Sequence, residues 1–467
     1  MGQWDTDKFI IKSIALLFAG CLLFASCRPG AAVSSATSAG TADFSSYLAI
    51  GDSYTAGSGD NTLTRSGQMN SYPERLFEQF AKIAGRGAAK GQFIQPLLTG
   101  DDGYPGPKDI LVIAHAGCMP QDSFFMPVGM PGFVANPADA VFNSTTPQLN
   151  NIAVPGIRVA DYGVAGYTNA SFIGGPFSGR FYHDINTTPL DELKYRVANM
   201  RPSFITIWLG FNDVFGYAAG GGQRNGSGTA VPLYANYYNL ADITPYSVFD
   251  TLYDQALTAA LGSGAGGALI NIPDIADIPF FNTIPANGLL ISRQSQADSL
   301  TTLYSVAYKF HIGYNYFMIQ AHDTTTSQAR PGDLLLLTIP RDSIVCAGWG
   351  SYKPIPARFV LTADELQNIN NATTAYNSFI KLEAARHNLA YIDMNKYMAT
   401  LNTGIVYNGV KYNTQYITGG AFSLDGVHPT KRGYALIANE IISGINAKYG
   451  STLTPVDANK YGGISFP

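Results

Sequence analysis

The chain has 467 residues, room for one large domain or two ordinary ones, so core size sets no limit on its fold. Only 13% of residues are charged, and the net charge of −4 comes without long runs of either sign, which excludes an electrostatic footprint for nucleic acid. Gly, Pro, Tyr and Asn fill the space that charge leaves, a composition that leans toward a protein working outside the cytoplasm.

At the N-terminus, Lys8 and Lys12 precede an apolar run from Ile14 to Ala25 that is too short to span a bilayer, the layout of a secretory signal. The run ends in Phe24-Ala25-Ser26-Cys27, which resembles a bacterial lipobox. That resemblance implies a signal peptide over residues 1–27 and lipidation of Cys27, hence an exported, lipid-anchored envelope protein. No feature after Cys27 directs it to the cell surface, so the periplasmic side of the outer membrane is the expected place, while the membrane face stays open. Phe24 departs from the usual aliphatic residue at its position, and Asp5 and Asp7 dilute the basic region. Residues 28–43 are small, polar and without pattern, and read as a flexible tether. Beyond the signal, Cys118 and Cys346 are the only cysteines. An exported compartment permits a disulfide between them, and two buried thiols fit equally well. With no CxxC, HExxH or regular Cys/His cluster, neither a metal nor a cofactor is expected.

The first core strand is the apolar run Leu48 to Ile50, which ends abruptly in Gly51-Asp52-Ser53-Tyr54-Thr55-Ala56-Gly57. A helix begins at Tyr72-Pro73, with Leu76, Phe77, Phe80 and Ile83 on one face. Residues 87–150 are rich in Gly and Pro and read as a long irregular insertion. Further strands are expected at 151–156, 203–210, 267–273 and 389–393, and helices at 189–200, 247–261, from the Thr362 capping box, and from Thr430. A second insertion, 275–360, interrupts this rhythm with one helix at about 292–310. Residues 216–228 form a glycine-rich stretch that reads as either a lid or a plain surface loop. About five strands alternating with helices predict a parallel sheet with helices on both faces.

Two stretches carry chemistry. A serine at the C-terminal end of a parallel strand sits where open α/β sheets place their ligands. Thr55 stands where the G-x-S-x-G elbow needs its second glycine, so that elbow is excluded. Near the other end, Asp425-Gly-Val-His428 puts a carboxylate three residues before an imidazole, on a loop ahead of a helix. Such a carboxylate fixes the tautomer and leaves Nε2 as a base toward a serine. His115, His183, His311, His322 and His387 lack that setting and read as satisfied structural histidines.

Ser53 in GDSYTAG, Gly156, Gly210-Phe-Asn212-Asp213 and Asp425-x-x-His428 together resemble, in order, the four blocks of the SGNH or GDSL esterase family. The resemblance covers nearly the whole chain after the tether, and the long insertions match none of the blocks. It implies a three-layer α/β/α sandwich of flavodoxin-like type over 44–450, with a tail at 451–467. It also implies a serine esterase or acylhydrolase without cofactor. Ser53 would be the nucleophile, His428 the base and then acid, and Asp425 the orienting carboxylate. The oxyanion hole would be the Ser53 and Gly156 N–H groups with the Asn212 amide. Gly156 is the least specific of these, with Gly117 and Gly163 as competitors, and the strand-like Asn151 to Pro155 favours it. Asp52 and Asp213 read as turn or cap residues. The substrate the resemblance implies is an ester of a small molecule, a lipid or an acylated glycan. A carbohydrate O-acetylesterase, an acyltransferase and a non-catalytic glycan-binding surface lipoprotein stay open beside the esterase, as does the oligomeric state. Phe172, Phe177, Phe181 and Tyr182 suit an acyl groove, a sugar platform or the core.

Overall fold

The computed structural model describes residues 37–142, 148–169, 171–222, 242–305 and 307–467. The signal segment with Cys27, the tether up to residue 36 and residues 223–228 of the glycine-rich stretch lie outside the described residues.

Four parallel strands form the central sheet: β1 (Tyr47–Gly51), β2 (Phe204–Trp208), β3 (Gly266–Ile270) and β4 (Ala390–Ile392), side by side in that order. Every residue of β1 and β2 is buried, as expected of parallel strands covered on both faces. The fifth expected strand, at 151–156, is reduced to a single parallel bridge between Asn151 and Ala49 on the free side of β1. Its main chain still follows β1, with Ile152 N–H on Ala49 O at 3.1 Å and Val154 N–H on Gly51 O at 3.0 Å. The ladder fails at both ends. The Asn150 side chain takes Tyr47 O, and Pro155 has no N–H to donate. Counting this segment, the spatial order is second, first, third, fourth, fifth, the flavodoxin-like arrangement.

Helices cover both faces. Helix α1 (Tyr72–Ala81) packs with the C-terminal α6 (Lys431–Tyr449) on one side. On the other side α2 (Pro189–Met200), α4 (Tyr246–Ala260) and α5 (Ala363–Arg386) lie in series. The sequence accounts for their ends. Thr188 and Thr430 cap α2 and α6, and Thr362 with Glu365 forms the expected capping box on α5. Helix α3 (Asn212–Ala219) follows β2 directly, so residues 216–219 are helical and not part of a loop.

The insertions are more ordered than their composition suggests. Asp109–Ala116 and Met119–Gly129 pair as an antiparallel hairpin within the first. The second builds its own small core around Ile291, Leu300, Phe317, Met318 and Ile355. Cys118 at the hairpin tip is joined to Cys346 of the second insertion by a disulfide. Both chain ends of the described fold are tied down. Thr41 N–H bonds Tyr449 O at 2.8 Å, and the Asn439 side chain holds both Val456 N–H and Val456 O. The tail therefore packs on α6, with Leu453, Val456 and Ala458 buried.

Candidate active site

The register of the sheet lines up Gly51, Trp208 and Ile270 at the C-terminal ends of their strands. Ser53 follows the first of these by two residues and Asn212 follows the second by four. The two meet where the strand order reverses, the crevice that open α/β sheets use for ligands. Gly51 is required by close approach: a Cβ there would lie 2.0 Å from Thr55 Oγ1 and 2.7 Å from Trp208 O. The chain can then turn at once into the short helix Ser53–Ala56, capped by Asp52 through Tyr54 N–H at 3.0 Å.

The loop before α6 brings the second half of the site. His428 Nε2 lies 2.8 Å from Ser53 Oγ, and His428 Nδ1 lies 2.8 Å from Asp425 Oδ2. The carboxylate also accepts the N–H groups of Val427 and His428 at 2.8 Å and of Asn61 at 2.9 Å. Burial works to raise the Asp425 carboxyl, but the His428 charge and these bonds together outweigh it and hold the group down at about 2. Burial likewise works to lower the His428 imidazole. The Asp425 charge and hydrogen bond, with Asp52 and Asp60 behind them, outweigh it and leave the imidazole above its ordinary value.

Contacts distant in sequence hold this pairing. Tyr54 stacks on Trp208 and donates to Val427 O at 2.9 Å, fixing the residue before His428. Asp60 accepts Leu424 N–H at 3.0 Å, and Ser423 Oγ accepts Asp60 N–H at 2.9 Å, clasping the two loops. Tyr54, Asp60 and Asn61 are not singled out by the sequence reading, because nothing local marks a contact more than 360 positions away.

Gly156 lies in the same cleft. Val154-Pro155-Gly156-Ile157 is a type II turn, closed by Ile157 N–H on Val154 O at 3.1 Å, with Gly156 at φ +80°. Gly117 sits instead beside the disulfide and Gly163 within a short 3₁₀ turn. The Asn212 amide donates to Ile157 O at 3.1 Å and to Asp52 Oδ2 at 3.3 Å. Burial pushes the Asp52 carboxyl up to about 7 and that of Asp213 up to about 6. Asp213 accepts the N–H groups of Val159 and Ala160, so both carboxylates serve backbone groups, as read from the sequence.

Ser53, Gly156, Asn212, Asp425 and His428 all line one cleft of about 450 Å³. Its walls are mainly apolar, formed by Ile173, Phe177, Phe211, Phe215 and Phe280. Of the four aromatics singled out in the sequence, Phe177 lines it, while Phe181 and Tyr182 are buried in the core and Phe172 packs against that core. Of the other histidines, His183 meets Glu192 and His322 Nε2 meets Gly221 O at 2.7 Å. His387 departs from the expectation: its Nε2 is buried without a hydrogen bond among the described residues.

The four-stranded parallel sheet of this order, with its crevice at the strand ends, is the flavodoxin-like α/β fold of SGNH hydrolases, and a family model matches the chain. The chain belongs to the GDSL-like lipase/acylhydrolase family, whose model matches residues 47–441. No curated protein sequence matches the chain. Among solved structures it is similar to TesA, at 11% identity and a TM-score of 0.31, over 86% of this chain and 98% of that one. It is also similar to a mutant of Axe2, a Geobacillus acetyl-xylooligosaccharide esterase, at 10% identity and a TM-score of 0.32, over 86% and 95%. Among the described residues, no helix is long and apolar enough to cross a membrane.

Proposed function

We propose that the protein is a serine esterase that cleaves carboxylic esters through an acyl-enzyme intermediate. The observation that carries this reading is the unbroken chain from Ser53 Oγ through His428 to Asp425, with 2.8 Å at each step. Ser53 Oγ attacks the ester carbonyl carbon while its proton passes to His428 Nε2. The carbonyl oxygen becomes an oxyanion. His428 then returns the proton to the alcohol oxygen as the C–O bond breaks, and water, activated by the same imidazole, releases the acid.

The oxyanion is held by the N–H groups of Ser53 and Gly156 and by the Asn212 amide. Fixed donors of this kind contribute roughly 3–4 kcal/mol each. No hydrogen bond among the described residues uses the Ser53 or Gly156 N–H. The long 3.3 Å bond from Asn212 to Asp52 is the one an oxyanion would displace. No metal or cofactor enters any step.

The five apolar side chains around Ser53 favour lipid or aryl esters over acetylated glycans, since each acyl methylene buried there adds about 0.8 kcal/mol. A panel of p-nitrophenyl esters from acetate to palmitate, run beside Ser53→Ala, tests both points. Turnover is expected to rise beyond acetate and to vanish in the variant. Retained hydrolysis by Ser53→Ala overturns the assignment, and a preference for acetate overturns the apolar-ester reading.

We also propose that the leader exports the enzyme and that lipidated Cys27 anchors it in the cell envelope, a reading supported by the lipobox-like Phe24 to Cys27. Metabolic labelling with a fatty-acid analogue is expected to mark the wild type and not Cys27→Ala. Equal labelling of both rules out the anchor.

A further inference from the structure

His387 stands at the end of α5, one helical turn beyond Glu383, so both side chains share a face. Asp254 faces them from α4, and one ligand atom from each of the three lies within 4.8 Å of the others. Among the described residues, three polar atoms around this point have no hydrogen-bond partner although buried: Glu383 Oε2, His387 Nε2 and Tyr253 Oη. Glu383 is 2% exposed, and Tyr253 lies within reach of its charge. Leaving such groups unpaired is costly, most of all for a charged one, so their convergence calls for a ligand.

We propose that Asp254, Glu383 and His387 bind a divalent cation of the zinc class. The donor set is one imidazole nitrogen and two carboxylates, which suits zinc and does not offer the six or more oxygens that calcium takes. His387 Nε2 and Glu383 Oε2 are 3.3 Å apart, too poorly aligned to hydrogen-bond. That separation matches the edge of a tetrahedron with bonds of about 2.05 Å, roughly 3.3 Å. Asp254 is about half exposed and free to close the remaining distance, and water fills the fourth position. The C-terminal end of α5 adds its negative dipole to the field at the ion.

Arg386 is the competitor. Its guanidinium reaches Glu383 at 3.3 Å and Asp254 at 4.0 Å, but the side chain is 66% exposed and both contacts are long, so a dication displaces it outward. The ion would staple α4 to α5. It takes no part in hydrolysis, because residues 383–387 lead into the start of β4, the edge of the sheet opposite the Ser53 crevice.

The test is zinc titration of the full chain by calorimetry, with cobalt absorption and thermal unfolding alongside. One zinc per chain is expected, with strong tetrahedral cobalt absorption and a raised unfolding midpoint. His387→Gln and Asp254→Asn, both at residues only partly buried, should weaken binding about tenfold or more, the loss that even an outer-shell partner produces. Arg386→Gln should tighten it, and ester turnover should be unchanged in all three. Absence of stoichiometric zinc, or equal affinity in the wild type and both ligand variants, overturns the proposal.

Discussion

In the proposed mechanism His428 has to be neutral to accept the Ser53 proton, so the rate falls as pH drops through its titration. Its imidazole is raised above the ordinary value of about 6.5, because the Asp425 pairing, with Asp52 and Asp60, outweighs burial. The acid limb of kcat/KM is therefore expected above pH 6.5. Asp52, pushed by burial to about 7, interacts with the His428 charge, so the limb belongs to a coupled pair and is broader than one proton gives. Asp425, held at about 2, stays charged throughout. Asp425→Asn removes the charge and leaves the burial, so the limb should move to lower pH, while kcat falls about 10⁴-fold as the tautomer is lost. A pH–rate profile of both proteins checks this. A limb that stays in place in the variant separates Asp425 from the imidazole.

At the scale of elements, the type II turn at Val154 to Ile157 decides where the Gly156 N–H, a proposed oxyanion donor, points. An alanine at 156 would sit at φ +80° and place Cβ 2.3 Å from Ile173 Cγ2, so both the turn and the cleft wall must shift. Gly156→Ala is expected to lower kcat by up to about 10²-fold, the effect of an ångström-scale misplacement, with a smaller change in KM. Unchanged kcat would remove Gly156 from the oxyanion hole. This turn also marks where the sequence stops being legible. Gly156 is recognisable because an apolar run leads into it, yet that run forms one bridge and not a strand, since Asn150 and Pro155 take away its ladder bonds. Ser53, Asp425 and His428 are legible because their signals are local, a strand end and a three-residue spacing. The clasp of Tyr54, Asp60 and Asn61 on the His428 loop is not, because it is made wholly of contacts across the chain. The hairpin Asp109–Ala116 with Met119–Gly129 escapes for another reason. Pro127 sits within a strand, and Ile113, Phe125 and Met126 face solvent, so the pattern lacks a buried face.

At the scale of the molecule, the two insertions behave as one device around the crevice. Pro105 comes to the cleft from the first, and Phe280 and Thr338 come from the second. Phe280 is fixed by Gly426 O, which accepts its N–H at 2.9 Å, so the second insertion touches the His428 loop itself. The Cys118–Cys346 disulfide closes a stretch of 228 residues between the insertions. A crosslink across so long a stretch restricts the unfolded chain strongly and typically adds about 2–4 kcal/mol to stability. The satellite core of the second insertion is small and separate from the main one, so it relies on this link more than the sheet does. Replacing both cysteines by serine is therefore expected to lower the denaturant midpoint, and reducing the wild type should do the same. The Ser53–His428 pairing rests on β1 and α6, outside the crosslinked segment, so kcat on a short ester should persist. KM on a long-chain ester should rise as Phe280 loosens. Equal midpoints for the oxidised and reduced wild type would show that packing alone holds the insertions. A parallel loss of kcat on both esters would place the disulfide's influence in the catalytic loops and not in the acyl wall.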